Sequence, residues 1–144
     1  MSSTLLSNLD SLDLSYNKLY NERMMTFLRD FPSKKLVTLK LNTCGLSWEC
    51  LELLFKNKNF TSLRELELSG NYEMDKFVLA LSKTQTLNML RKVSMSNCYL
   101  TNESLLELFS SENFSNITHF DISYNYKFKD DGIKLMWDKP FLRS

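Results

Sequence analysis

The chain has 144 residues, 43% of them hydrophobic, and a formal net charge of +1. That is enough apolar material for one domain with a core, and the near-neutral, interleaved charge lacks the basic stripe of a nucleic-acid surface. No stretch approaches the roughly 18 apolar residues of a membrane span, and residues 1–10 show neither the basic n-region nor the apolar h-region of a signal peptide, so a cytoplasmic setting is expected.

Residues 1–8 precede the first recognisable unit. Leu6 falls in a column with Phe60, Leu87, Phe114 and Phe141, each three residues before a unit starts. The unit itself is clearest as LRELELSGN (63–71): apolar at Leu63, Leu66 and Leu68, with a closing Asn71. The same frame appears as LDSLDLSYN (9–17), LVTLKLNTC (36–44), LRKVSMSNC (90–98) and ITHFDISYN (117–125), so the closing positions step by 27 residues. Five repeats follow, 9–35, 36–62, 63–89, 90–116 and 117–143, within a single domain spanning 1–144.

Each frame reads as a short strand and a turn, and each is followed by a helical pattern. In the first repeat Met24, Phe27, Leu28 and Phe31 lie at i, i+3, i+4 and i+7, one face of a helix that Pro32 ends. Leu51, Leu54 and Phe55 continue these columns in the second repeat behind a candidate N-cap, Ser47. Val78, Leu81 and Ser82 follow in the third. Leu105, Leu108 and Phe109 follow in the fourth, with Thr101 as the candidate cap. In the fifth the strict period gives Gly132, Leu135 and Met136, while a shift of one gives the more apolar Ile133, Met136 and Trp137, so two registers stand open.

One strand and one helix cannot bury an apolar face alone, but a stack of them can. The expected fold is α/β: a right-handed β-α solenoid with a parallel sheet on its concave face and helices on its convex face. The closing column Asn17, Cys44, Asn71, Cys98, Asn125 reads as an internal ladder, with buried amides satisfying turn backbone and small thiols on alternate rungs. Cys44 and Cys98, two strands apart at ~10 Å, are too distant for a disulfide. With Cys50 they read as free thiols of a reducing compartment. Sequons at Asn59, Asn102, Asn113 and Asn116 have no secretion signal to support them.

The frame and the alternation of Asn and Cys resemble the ribonuclease-inhibitor type of leucine-rich repeat. CGLSWEC (44–50) and FDISYN…KDDGIKL (120–135) also resemble repeats of cytosolic NOD-like receptors, although no nucleotide-binding, pyrin or caspase-recruitment segment accompanies them. The resemblance implies a non-enzymatic module that binds a protein partner, without cofactor, metal, nucleic acid or membrane.

Its binding surface is expected on the strand face and rim turns: Asp13, Tyr16, Lys40, Glu65, Glu67, Tyr72, Lys92, Tyr99, His119, Asp121, Tyr124 and Tyr126. Tyr72, Tyr99 and Tyr126 each follow a closing residue and so form a stripe, and tyrosine is enriched at binding hot spots. Trp48 reads as convex cover and Trp137 as core. Glu65, Glu67 and Asp121 share a face, but cross-strand pairing of Asp13, Lys40 and Glu67, and of Glu65 with Lys92, is preferred over a cation site. His119, the single histidine, reads as a surface residue, and Ser94 beside it as an ordinary surface hydroxyl.

Two other readings remain. The chain is a regulatory domain of a larger protein, of NOD-like receptor or GTPase-activator type, or it is a structural spacer. The activator reading lacks an arginine directly after a strand, since Arg23, Arg29, Arg64, Arg91 and Arg143 all fall elsewhere. Leu9, Leu12 and Leu14 are expected to be exposed at one end, and Ile117, Phe120 and Ile122 to form a terminal strand with unpaired backbone groups at the other. That points to end-to-end self-association or to missing flanking repeats.

Overall fold

The computed structural model describes residues 6–18, 21–72 and 74–137. Phe141, Arg143 and the side chains of Asn113, Phe114, Leu135, Met136 and Trp137 lie outside that description, so the readings placed on them are not developed.

Strands and helices alternate: β1 Ser11–Asp13, α1 Asn21–Asp30, β2 Thr38–Lys40, α2 Trp48–Lys56, β3 Glu65–Glu67, α3 Asp75–Lys83, β4 Lys92–Ser94, α4 Asn102–Phe109, β5 His119–Asp121 and α5 Asp130–Trp137. The strands form a parallel sheet in sequence order, β1-β2-β3-β4-β5. Leu12 pairs with Leu39, Leu39 with Leu66, Leu66 with Val93 and Val93 with Phe120, so each register step equals the sequence period. Each strand is short, but its ladder runs on into the turn. Leu14, Leu41, Leu68 and Met95 donate their N–H groups to the next repeat, as do Tyr16, Thr43, Gly70 and Asn97 two residues later. Helices about 10 Å wide behind strands ~4.8 Å apart bend the stack, leaving the sheet on the inside of the arc. This is a leucine-rich repeat solenoid.

The apolar columns meet in one continuous core. Leu36, Leu39, Leu41, Leu63, Leu66, Leu68, Leu90, Val93 and Met95 are buried under the sheet, and Met24, Leu28, Leu51, Leu54, Val78, Leu105 and Leu108 face them from the helices. The columns of the first repeat differ from expectation in degree. Leu9, Leu12 and Leu14 are half-buried rather than exposed, and Ile117, Phe120 and Ile122 are half-buried too, because each packs against a neighbouring repeat among the described residues. At the first repeat a 3-10 turn, Leu6–Asn8, is held by Ser33 Oγ donating to the Ser7 carbonyl (2.9 Å) and by Lys35 Nζ donating to Asn8 Oδ1 (3.2 Å).

The ladder closes as bonds between repeats. Asn71 Oδ1 accepts from the N–H groups of Cys44 (3.2 Å) and Leu46 (3.1 Å), and its Nδ2 donates to the carbonyls of Leu41 and Leu68 (both 2.8 Å). Asn125 repeats this one step of two units on. Its Oδ1 takes Cys98 and Leu100 N–H, and its Nδ2 reaches the Met95 and Ile122 carbonyls. On the alternate rungs the thiols of Cys44 and Cys98 donate to the carbonyls of Leu14 and Leu68 in the preceding repeat. Asn17 has no preceding turn among the described residues. It is exposed, and its amide donates only within its own turn, to Leu14 and Ser15.

Helix ends are tied the same way. An α-helix leaves its last carbonyls without intrahelical donors, and here the following repeat supplies them. Asn57 Nδ2 donates to the carbonyls of Leu28 (2.9 Å) and Arg29 (3.2 Å), Thr86 Oγ1 to Phe55, and Ser111 Oγ to Ser82. The sequon residue Asn59 is likewise engaged, its Nδ2 donating to the Phe31 carbonyl at 2.7 Å.

One local reading needs correction, and one left open is decided. Ser47 sits at the N-cap of α2 with extended backbone, but its hydroxyl does not cap; it turns to Cys50 Sγ at 3.8 Å. Thr101 does cap α4, accepting from Ser104 N. In α5 the strict period holds and the shifted register does not. Gly132 is buried, and a Cβ there would lie 2.3 Å from the Phe128 ring and 2.5 Å from Asn102 Oδ1, while Ile133 is 52% exposed. The more apolar face loses because the inner position has room only for hydrogen.

Cys44, Cys50 and Cys98 are free and buried. Burial pushes the Cys98 thiol up to about 11 and raises Cys44 as well, so neither forms the reactive thiolate near neutrality. A colorimetric thiol titration of native protein is expected to show almost no reaction, rising to three thiols once the chain is unfolded without reductant. A count of one would mean a disulfide and a wrong register for the ladder.

Candidate functional site

The face left open by this packing is the sheet's concave side. Along each strand the middle residue points into the core and its two neighbours point out. Two outward rows result, Ser11, Thr38, Glu65, Lys92, His119 and Asp13, Lys40, Glu67, Ser94, Asp121. The cross-strand pairing expected for Lys40 and Glu67 is present at 2.6 Å, and Asn42 Nδ2 donates to the second Glu67 oxygen at 2.7 Å. Glu67 thereby raises the pKa of Lys40 through that hydrogen bond and its charge. Glu65 and Lys92 are register partners, but they are not among the ion pairs of the described residues.

Asp13 and Asp121 each accept the N–H two residues on, from Ser15 and Ser123, both at 2.9 Å. These backbone bonds hold both carboxyls below the ordinary range. Ser94 donates to Asp121 Oδ2 at 3.2 Å, whereas the His119 ring pairs with Thr118 Oγ1 at 3.0 Å. The serine and the imidazole are therefore engaged separately. Among the described residues no group of three His, Cys, Asp or Glu side chains is placed to hold a metal ion, and Glu67 is committed to Lys40 and Asn42. Glu65, Lys92, His119 and Asp121 border a shallow concavity of about 460 Å³ over β3 to β5.

At the edge of this face runs a second ladder. Ser15, Asn42, Ser69, Ser96 and Ser123 occupy one frame position. Asn42 N donates to Ser15 Oγ, Ser69 N to Asn42 Oδ1, Ser96 N to Ser69 Oγ, and Ser123 Oγ to Ser96 Oγ. Its signal in the sequence is a column of small hydrogen-bonding residues at the repeat period, which the apolar frame does not include.

The next position is held in the left-handed backbone region in every repeat: Tyr16 (φ 62°), Thr43 (52°), Gly70 (71°), Asn97 (53°) and Tyr124 (57°). The position after each of the two ladder cysteines, Cys44 and Cys98, is left-handed too, at Gly45 (65°) and Tyr99 (59°). Glycine and asparagine suit such sites, while a bulky residue there is uncommon and strained. Tyr16 is 78% exposed and Tyr124 68%, so these rings gain little from the fold.

Tyr72, Tyr99, Tyr124 and Tyr126 crowd the same rim, but the expected stripe is only partly a stack. Tyr72 and Tyr99 meet edge-on with centroids 5.3 Å apart, Lys127 Nζ lies 5.8 Å from the Tyr99 centroid, and Tyr126 stands 80% exposed. On the convex side Trp48 is half-buried against Phe55, with centroids 6.4 Å apart.

No family model matches the sequence, and no curated protein is similar to it at the sequence level. Among solved structures the chain is similar to the C-terminal domain of tropomodulin from Caenorhabditis elegans, with a TM-score of 0.73 and 15% identity over 92% of this chain and 83% of that one. At that identity the likeness speaks for the fold alone.

Proposed function

We propose that the chain is a non-enzymatic interaction module that takes a protein partner on its concave sheet and the adjoining rim turns. The observation that carries this reading is the set of exposed tyrosines on one rim, Tyr16, Tyr72, Tyr99, Tyr124 and Tyr126, of which Tyr16, Tyr99 and Tyr124 sit in left-handed backbone. The same backbone sites are filled by glycine in other repeats, at Gly70 and Gly45. The fold therefore does not require tyrosine there. Strain retained at exposed aromatic side chains points to a role outside the fold, and tyrosine supplies large contact area with few rotors to freeze.

The outward strand residues Asp13, Lys40, Glu65, Glu67, Lys92, His119 and Asp121 supply the polar part of that surface. Among the described residues no helix is long and apolar enough to cross a membrane. A cytoplasmic setting belongs to the proposal and is supported by the three buried free thiols. The NOD-like receptor and GTPase-activator readings are particular homes for such a module.

The test joins stability to contact. Tyr16→Gly and Tyr124→Gly are each expected to stabilise the chain by about 0.5–1 kcal/mol, the left-handed strain relieved less the added chain entropy of glycine. A photo-reactive phenylalanine analogue at position 16, 72 or 124 is expected to cross-link a protein in cells, whereas one at Leu79 or Ile133 on the helices is not. Equal labelling of both faces would leave the chain a spacer, and glycine variants that cross-link undiminished through position 72 would remove Tyr16 and Tyr124 from the contact.

A further inference from the structure

Resting on that reading, we infer that the hollow between Tyr72, Tyr99, Lys76 and Lys127 is an anchor subsite for an acidic segment of the partner, taking an aromatic side chain beside a carboxylate. The hollow holds about 550 Å³ and is bounded by these four residues and Asp75. Its apolar wall is the edge-on pair Tyr72 and Tyr99, a geometry that leaves ring surface for a third aromatic.

Its charge is set by Lys76, Lys127 and Asp75 together. The Asp75 carboxylate is held at one oxygen, its Oδ1 accepting from Thr101 N (3.0 Å), Thr101 Oγ1 (3.2 Å) and the Ser104 hydroxyl at the start of α4, and it keeps its charge. The ion pairs of the described residues are Lys40–Glu67, Lys56–Glu52, Lys83–Glu107 and Lys134–Asp131, so neither Lys76 nor Lys127 belongs to one. Glu49 on α2 feels the charge of Lys76 only weakly, behind the hydroxyl of Ser47 and its own backbone. Two ammonium groups and the Asp75 carboxylate thus bound the aromatic wall, a surplus of one positive charge among the described residues lining it, with one oxygen of that carboxylate already bonded to α4. A cationic ligand is disfavoured on the same grounds, since Lys127 already lies over the Tyr99 ring.

The experiment titrates the full chain, isotopically labelled, with two capped tetrapeptides while amide shifts are followed by NMR. One probe contains tryptophan, two glutamates and leucine; the other replaces the glutamates with lysines. The acidic probe is expected to move the amides of Tyr72, Lys76, Tyr99 and Lys127, and the basic probe is not. The double variant K76E/K127E, whose changes lie on exposed side chains, is expected to bind the acidic probe about tenfold more weakly and to prefer the basic one. Absence of shifts at these amides, equal response to both probes, or an acidic response unchanged in the variant overturns the subsite. The wider reading has its own readout. If cross-links at positions 16 and 124 persist while the probes fail, only the subsite falls; if those cross-links are absent, the interaction surface falls with it.

Discussion

Asn71→Ala is expected to lower stability by at least ~3 kcal/mol, whereas Asn17→Ala in the same column lowers it by under ~1 kcal/mol. The contrast follows from what each amide holds. Removing the Asn71 amide strips the N–H groups of Cys44 and Leu46 and the carbonyl of Leu41 of the partners it gives them, all in buried surroundings. The Leu68 carbonyl keeps the Asn71 N–H and the Cys98 thiol. Three buried groups left unsatisfied at ~1–3 kcal/mol each exceed anything lost in side-chain contact, with partial repair by water setting the lower bound. Asn17 is exposed and bonds only within its own turn, so water replaces it readily. Urea unfolding of the two variants beside the parent measures the difference. Equal losses, or an unchanged midpoint for Asn71→Ala, would remove the ladder as the clamp between repeats.

Phe60→Ala is expected to cost about 3–5 kcal/mol and to loosen the first repeat before the rest. Phe60 closes the 3-10 turn after α2, is fully buried, and stacks on Phe31 with centroids 5.2 Å apart and planes 16° from parallel. Phe31 in turn meets Phe27 edge-on at 5.3 Å. The ring therefore couples α1 to the second repeat, and in a solenoid such neighbour interfaces carry much of the stability. Hydrogen exchange is expected to accelerate in α1 more than in α4. A double-mutant cycle with Phe31→Ala should return a coupling of about 0.5–1.5 kcal/mol, the share owed to stacking beyond burial. Uniform acceleration along the chain would mean the array unfolds as one unit and the coupling is not local.

Both predictions draw on columns visible in the bare sequence. A period of 27 residues places like beside like, so the register of the parallel sheet, the inward rows such as Leu39, Leu66 and Val93, and the alternation of amide and thiol at the closing position were all legible from spacing. The physical reason is that a repeat can bury its apolar face only against its own copy, which makes periodicity equivalent to contact. The outward placement of the candidate surface residues followed from the same alternation along each strand.

What spacing cannot carry is direction. A frame position assigns a residue to a neighbour but not to a rotamer or a backbone region, and those were decided by the packed structure. Ser47 stands where a cap belongs, yet its hydroxyl turns to Cys50. The fifth helix took the register with glycine inside because the space beside Phe128 and Asn102 excludes a Cβ, a volume no pattern of apolar letters records. Asn57, Thr86 and Ser111 reach back to close the preceding helices, bonds that exist only once two repeats lie side by side. The left-handed backbone of Tyr16, Tyr99 and Tyr124, and the tying of Asp75 Oδ1 to the start of α4, likewise come from how each turn must pass its neighbour. The sequence alone determined which residues face each other across the repeats; the tertiary structure decided which of them are spent holding the stack and which are left to meet a partner, because hydrogen-bond direction and free volume arise only in the assembled array.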